Sequence, residues 1–226
     1  MLRILFFTAN TEDSPPLNLD GEFRSLVDLL RKDGLLGVHV DEPCHVRHAT
    51  FHLLEQIARK FRPHILVLAG HSADETLVIE STAGVSVKMP ATALGPVLRH
   101  LVPELRCLLL NLCDLAPQAQ ALLPYVPDTI GMKGTIPDQS AIAFSTSFCY
   151  WVAKGDSLGS AFTNAQNRIH AIGLTGKEMP QHFFRQGADQ LPLVHKVKIF
   201  CLHHQRDNQH YDELGMALAA EQNAGL

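Results

Sequence analysis

Two residues with reactive side chains each follow an apolar run: a histidine, which can act as an acid or base, and a cysteine, which can act as a nucleophile. His71 follows HILVLAG, and Cys113 follows CLLLNL, 42 residues later. A thiol with a pKa of about 8.5 is mostly protonated at neutral pH, and a nearby imidazole favours the reactive thiolate. The backbone N–H groups of Ser72 and Cys113 could hold a developing oxyanion. This pattern predicts acyl transfer by a cysteine–histidine dyad.

The same residue types also have an ordinary structural explanation. Five cysteines and thirteen histidines are scattered along the chain, so a pair near two strand ends can arise by chance. Cysteine is also a common small core residue. Cys107 lies in a predicted strand and Cys149 in a predicted helix, which favours core packing, whereas Cys44 and Cys201 could be exposed thiols without a role. Spacing alone leaves the dyad as one of two readings.

The remaining histidines give weaker signals. The pairs His203–His204 and His45/His48 could bind a metal, but no third ligand stands at a telling spacing, so a solvated surface is expected. His64 begins an apolar run and is expected at the opposite edge of the sheet from His71. The chain has no GxGxxG, GxxxxGK[ST] or GxSxG motif, which disfavours dinucleotide binding, P-loop phosphate binding and serine-hydrolase activity. We expect neither a metal nor an organic cofactor.

Short apolar runs alternate with helical patterns over about the first 150 residues, which predicts an α/β fold. The predicted strands are 3–8, 37–41, 64–69, 107–111 and 129–132, with a small hairpin at 76–80 and 85–89. The predicted helices are 19–32, 50–61, 90–101, 116–123, 138–153 and 157–172. We expect a mostly parallel sheet of about six strands with helices on both faces. In such a sheet the reactive site lies beyond the carboxyl ends of the strands.

One domain over residues 1–226 accounts for the pattern, with its core in about 1–172. Asp20 is predicted to cap the first helix. The Gly-, Gln- and Pro-rich segment 173–192 predicts a long loop, 194–200 a possible edge strand, and the residues from Tyr211 a short C-terminal helix.

Composition excludes several classes of protein. The chain has 226 residues, 46% hydrophobic and 19% charged, with a net charge of −4, which disfavours nucleic-acid and anionic-membrane binding. No apolar run approaches the roughly 20 residues of a membrane span. The N-terminal MLRILFF is too short for a signal peptide. An odd number of cysteines without a CxxC pair disfavours a disulfide framework, so a reducing cytoplasm is expected.

Several segments together resemble the bacterial caspase-like cysteine peptidases, and most closely the branch related to separase. They are ILFFTAN, LNLDGEFR, PHILVLAGHSADETLVIES, LLLNLCD and IGMKGTIPDQSAIAFSTSFCYWVAKGDSLGSAF, which span about residues 3–170. The histidine–cysteine spacing is compatible with the roughly 50 residues typical of caspases. The resemblance implies a three-layer caspase-like fold in a single peptidase domain.

The resemblance also assigns roles to individual residues. It makes Cys113 the nucleophile and His71 the general acid/base, which mainly protonates the leaving amine. Ser72 stands where relatives usually have glycine, and its N–H can still serve the oxyanion. Asn111 stands where relatives that cleave after Arg or Lys have aspartate, so strict basic specificity is disfavoured. Further carboxylates that could supply charge to a substrate pocket are Asp13, Asp20 and Asp114.

The function implied is an intracellular cysteine endopeptidase that binds a protein or peptide substrate as an extended strand and forms a thioester. Relatives often act in bacterial antiviral defence or programmed cell death, and are activated by an upstream protease or a regulatory protein. Candidate cleavage sites for activation are 153–156 and the loop around Arg185. The alternatives are a catalytically idle caspase-like binding or scaffold module and a small-molecule α/β protein.

Overall fold

The apolar runs and amphipathic stretches form the strands and helices of an α/β protein. The computed structural model describes residues 2–9, 19–35, 44–46, 50–81, 85–185 and 197–204. The strands are β1 (Leu2–Ala9), β2 (Cys44–Val46), β3 (Ile65–Gly70), β4 (Ser72–Ala73), β5 (Thr76–Glu80), β6 (Ser86–Met89), β7 (Cys107–Asn111), β8 (Asp128–Met132), β9 (Pro180–Phe184) and β10 (Val197–His204). The helices are α1 (Leu19–Lys32), α2 (Phe51–Phe61), α3 (Leu94–Leu101), α4 (Ala116–Ala121), α5 (Asp138–Lys154) and α6 (Leu158–Ala171).

Seven of the described strands form the main sheet, in the order β2-β10-β1-β3-β7-β8-β9. All neighbouring strands are parallel except β9, which runs antiparallel to β8. The central strand β3 is buried along all but its last residue, and its neighbour β7 is buried along its whole length. Continuous apolar runs of this kind suit a sheet that is covered on both faces.

Helices cover the two faces of the main sheet, as predicted. On one face α1, α5 and α6 pack against alternate sheet residues such as Val67 and Leu109. On the other face α2, α3 and α4 pack against the intervening residues, such as Leu66 and Leu108. The result is a three-layer arrangement with one apolar core on each side of the sheet.

A second, three-stranded sheet has the order β4-β5-β6, and its β5–β6 pair confirms the predicted hairpin. Asp74 and Glu75 connect β4 to β5 with positive φ angles of 52° and 56°. Two consecutive positive φ values in a two-residue connection are typical of a type I′ turn, whose twist matches that of the flanking strands. This small sheet therefore begins directly after His71.

The late part of the chain differs from the prediction. Within the predicted loop 173–192, Pro180–Phe184 forms an edge strand because it pairs along its full length with β8. The predicted edge strand at 194–200 is instead Val197–His204, which lies between β1 and β2 and not at an edge. Both differences come from long-range pairing, which the local sequence pattern does not contain.

Other predictions fare unevenly. Asp20 is not the cap of α1, because the helix begins one residue earlier, at Leu19. The predicted strand 37–41 and the helix after Tyr211 lie outside the described residues, and β2 follows at Cys44–Val46. Pro96 does not break α3, since a proline in the first turn of a helix costs no hydrogen bond. Among the described helices, none is long and apolar enough to cross a membrane.

Candidate active site

His71 and Cys113 stand at the ends of neighbouring parallel strands. β3 pairs with β7, and the last paired residues are Ala69 and Asn111. His71 and Cys113 each come two residues after that pair. Because parallel strands run in the same direction, both residues lie at the carboxyl-end edge of the sheet, at equivalent positions just beyond β3 and β7. The predicted meeting of these two strand ends is therefore present in the fold.

A direct hydrogen bond joins the two strand ends. The hydroxyl of Ser72 donates to the backbone carbonyl of Cys113 over 2.6 Å. The side chain of Cys113 is a free thiol, partly exposed, and it packs against the core of α1, α5 and α6. A reactive cysteine needs this combination of access and support.

The loop after Cys113 is also held from the side of β8. The N–H of Asp114 donates to the carbonyl of Gly134, just beyond β8, over 3.2 Å. Asp114 has a φ of 57°, the left-handed region that side-chain-bearing residues seldom adopt. Strain of this kind near a nucleophile is typical of functional sites.

The short hairpin after β3 orients the residues that follow the histidine. The carbonyl of His71 accepts a hydrogen bond from the N–H of Val78 over 3.1 Å, and Ser72 pairs with Leu77. Hydrogen-bonded and non-hydrogen-bonded pairs alternate along an antiparallel ladder. Ser72 is therefore at a non-hydrogen-bonded position, and its N–H faces away from β5. That direction suits an amide with a function outside the hairpin.

The predicted pocket residues lie in different environments. The Asn111 side chain is buried, with 6% of the residue exposed, and its amide donates to the carbonyl of Ala141 in α5 over 3.4 Å. Asp114 is exposed at the same edge of the sheet. Asp20 lies in the first turn of α1, and Asp13 lies outside the described residues. Of the four candidates, the structure places Asn111 and Asp114 beside the two strand ends.

An apolar cavity adjoins the site on the face of α2 and α3. It is bounded by Leu68 and Leu112, which flank the strand ends, and by Leu77 and Met89 of the small sheet. Every described residue that lines it is apolar. This described lining suits an apolar substrate side chain better than a charged one.

Two other cysteines lie in the core, and one histidine lies at the opposite end of the sheet. Cys107 and Cys149 are fully buried, as predicted, and burial raises the pKa of the Cys107 thiol. His64 precedes β3, at the opposite edge, where its Nδ1 accepts a hydrogen bond from the N–H of Arg3 over 3.1 Å. Burial lowers the pKa of His64 to about 4, so the imidazole is neutral at pH 7.

The histidine pairs considered as metal ligands lie in or near β2 and β10. His45 and His203 are neighbours in the β2–β10 register, and His48 lies outside the described residues. In the part of the chain whose side chains are described, no group of three or more His, Cys, Asp or Glu residues could hold a metal ion.

Sequence reasoning missed two contacts of the site. The Ser72 hydroxyl was not predicted to reach Cys113, and Gly134 was not connected with the cysteine loop. The signal available was indirect: both partners follow strand ends at the same sheet edge. A side-chain hydrogen bond between two loops depends on the register of the strands, which the sequence does not show.

Comparison with known proteins bears on the fold. No protein-family model matches the chain, and no curated protein is significantly similar to it in sequence. The structure is similar to the crystal structure of caspase-1 from Spodoptera frugiperda, with a TM-score of 0.50 and 11% identity, over 87% of this chain and 90% of that chain. The chain has a caspase-like fold. At this level of identity the similarity shows the fold and leaves the activity to be argued from the site.

Proposed function

We propose that this protein is a cysteine endopeptidase in which Cys113 is the nucleophile and His71 the general acid/base. The observation that carries the proposal is the position of both residues, each two residues beyond the Ala69–Asn111 pair of adjacent parallel strands. The hydrogen bond between Ser72 and Cys113 supports the same juxtaposition. A caspase-like fold supports protein or peptide substrates.

The proposed reaction has two steps. The Cys113 thiolate attacks the scissile carbonyl, and the backbone N–H groups of Ser72 and Cys113 donate to the oxyanion that forms. The tetrahedral intermediate collapses, the C–N bond breaks, and His71 gives a proton to the leaving amine. Water then attacks the thioester and gives one proton to His71. The C–S bond breaks, the carboxylic acid product leaves, and the Cys113 thiolate and the protonated His71 are regenerated. No metal ion or organic cofactor is required for these steps.

The substrate is proposed to lie as an extended strand along the site edge. Asp114 is the described carboxylate nearest to the cysteine in sequence, and it is exposed, so it is the stronger candidate to meet a cationic substrate side chain. Asn111 contributes a neutral amide that is bonded to α5. Asp13 and Asp20, in the region after β1, remain candidates for the far wall of the pocket.

The biological setting proposed is a bacterial defence or programmed-death pathway in the cytoplasm, in the branch related to separase. Activation is proposed to follow cleavage or binding by an upstream protease or regulatory partner. Between the candidate cleavage sites, the junction at 153–156 is short and capped at both helix ends, by Gly155 and by the Ser157 side chain. Arg185 is exposed and directly follows the edge strand β9, so it is the favoured site.

The test is covalent labelling with a thiol-reactive peptide electrophile, before and after mixing with candidate activators. We expect one label per chain, placed on Cys113 by peptide mapping, and its loss in Cys113→Ala. His71→Ala should slow labelling because the imidazole favours the thiolate, and should lower kcat for a peptide substrate by at least about a hundredfold, the usual size of a general acid–base contribution. Cys44→Ala serves as the matched control and should label at the wild-type rate.

The alternative of an idle binding module predicts a different result. In that case labelling would spread over the accessible thiols, and neither Cys113→Ala nor His71→Ala would change its rate in any activated state. That outcome would rule out the peptidase proposal and leave the fold as a scaffold.

A further inference from the structure

Both polar groups of one peptide unit, the Cys113–Asp114 peptide, are held by neighbouring loops. Its carbonyl accepts from the Ser72 hydroxyl over 2.6 Å, and its N–H donates to the Gly134 carbonyl over 3.2 Å. Ser72 follows β3, and Gly134 follows β8, the strands on either side of β7. The peptide is thus clamped from both neighbouring strands of the sheet.

The clamp matters because of the conformation of the turn. Asp114 has a left-handed φ of 57°, which is uncommon for residues with a Cβ, although aspartate tolerates it better than most. The hydroxyl of Ser72 and the carbonyl of Gly134 hold the peptide in this conformation. Without the hydroxyl, the peptide could rotate toward a relaxed geometry, and the Cys113 thiol and N–H at its other end would move with it.

Ser72 is itself held in place by the hairpin. It pairs with Leu77, and the positive φ angles of Asp74 and Glu75 close the turn tightly. Its side chain is therefore presented from a rigid element and not from a loose loop. A clamp can hold a nucleophile only if the clamp itself is fixed.

We propose that the Ser72 side chain is a positioning residue that holds the Cys113–Asp114 peptide in its reactive conformation. This role rests on the proposed peptidase function and is additional to the oxyanion role proposed for the Ser72 backbone. It acts through Cys113 and touches no reacting atom. A glycine at this position would keep the backbone N–H and lose the clamp.

The experiment compares two variants of equal shape, Ser72→Thr and Ser72→Val, of which only the first keeps a hydroxyl. A neutral hydrogen bond is worth up to about tenfold in rate. We expect Ser72→Val to lower kcat about tenfold with KM within twofold, and Ser72→Thr to restore kcat to within about threefold of wild type. Thr76→Val is the control, because its hydroxyl bonds to the Ala73 carbonyl in the same hairpin and not to Cys113; its kcat should stay within about threefold.

Amide hydrogen exchange gives a second readout that does not need activity. The Asp114 N–H should exchange about tenfold faster in Ser72→Val, and at the wild-type rate in Ser72→Thr and Thr76→Val. Equal kcat and equal exchange in the Thr and Val variants would overturn the clamp while leaving an active wild-type peptidase intact. If wild type shows no labelling of Cys113, the catalytic part of this proposal falls with the proposed function. Exchange at Asp114 then decides whether the clamp exists.

Discussion

Replacing Gly131 by alanine should destabilise the protein and disturb the candidate site. Gly131 is in β8, and a Cβ there would lie 2.8 Å from the Ala119 Cβ, 2.8 Å from the Leu115 carbonyl oxygen and 2.9 Å from the Ala116 Cα. Two of these atoms belong to the backbone at the start of α4, so relief requires the helix to move. Overpacking typically costs about 1–3 kcal/mol. We expect about 2–3 kcal/mol for Gly131→Ala because backbone has to yield.

The effect should extend to Cys113, since α4 begins directly after the Cys113–Asp114 turn. Urea denaturation measures the stability, and the rate of reaction with a peptide electrophile measures the site. Gly159→Ala is the matched control: a Cβ at Gly159 meets nothing within 4 Å, and the residue lies in α6. Alanine is favoured over glycine in helices by up to about 1 kcal/mol, so this variant should match or exceed the wild-type stability.

Equal denaturation midpoints for Gly131→Ala and Gly159→Ala would refute the packing argument. A destabilised Gly131→Ala with an unchanged reaction rate at Cys113 would refute the coupling between α4 and the site, and leave the packing argument standing.

Three further predictions concern buried or partly buried polar groups. His182→Ala should cost about 1–3 kcal/mol in urea denaturation, because it removes the hydrogen-bond partner that the fully buried Asp128 side chain has in His182 Nε2 over 2.9 Å. Adding Asp128→Asn should recover part of that loss, and full additivity would contradict the pairing. In the unfolded chain His64 binds a proton below its ordinary pKa of about 6.5, whereas in the folded protein it does so only below a pKa of about 4. The free energy of unfolding should therefore fall as the pH drops between these two values. Between pH 7 and pH 5 the loss should be about 1 kcal/mol, allowing for partial exposure, and it should vanish in His64→Asn, which keeps an acceptor for Arg3. Asn111→Asp should cost about 1–3 kcal/mol, because it removes the buried donor to α5; unchanged stability with a new preference for basic substrate residues would instead mark a pocket position.

The central strands were predictable because their information is local. The apolar run ILVLA lies between His64 and Gly70, and the apolar run CLLL lies between Arg106 and Asn111; they form β3 and β7 within one residue of the predicted limits. β9 was not predictable in the same way. The segment PQHFF has no strong strand pattern, and it becomes a strand because the free edge of β8 offers it five pairing positions.

In the candidate site, too, some features could be predicted from the sequence pattern and others could not. The strand–helix pattern implies that the two strands run in the same direction. The approach of His71 and Cys113 also requires that the strands be neighbours, which the sequence left as a condition and the structure meets. The burial of the Asn111 side chain could also have been predicted from the alternation of residues along the strand. It shares the parity of Cys107 and Leu109, which are buried toward α1, α5 and α6, and this parity indicated a buried side chain. The hydrogen bond of Ser72 to Cys113 could not be predicted in this way, because a single side-chain contact between two loops leaves no repeating pattern in the sequence.

The position of β10 bears on how a cleaved form could keep its fold. Arg185 and Val197 are separated by five strand spacings across the sheet, about 24 Å at roughly 4.8 Å per spacing. After a cut near Arg185, β10 would remain paired with β1 along seven residues and with β2 along three. Pairing of that length, in the interior of the sheet, resists dissociation far better than an edge strand does. A cut at this position can therefore change the chain without dismantling the sheet that holds His71 and Cys113 together, whereas a cut at 153–156 must first open two capped helix ends.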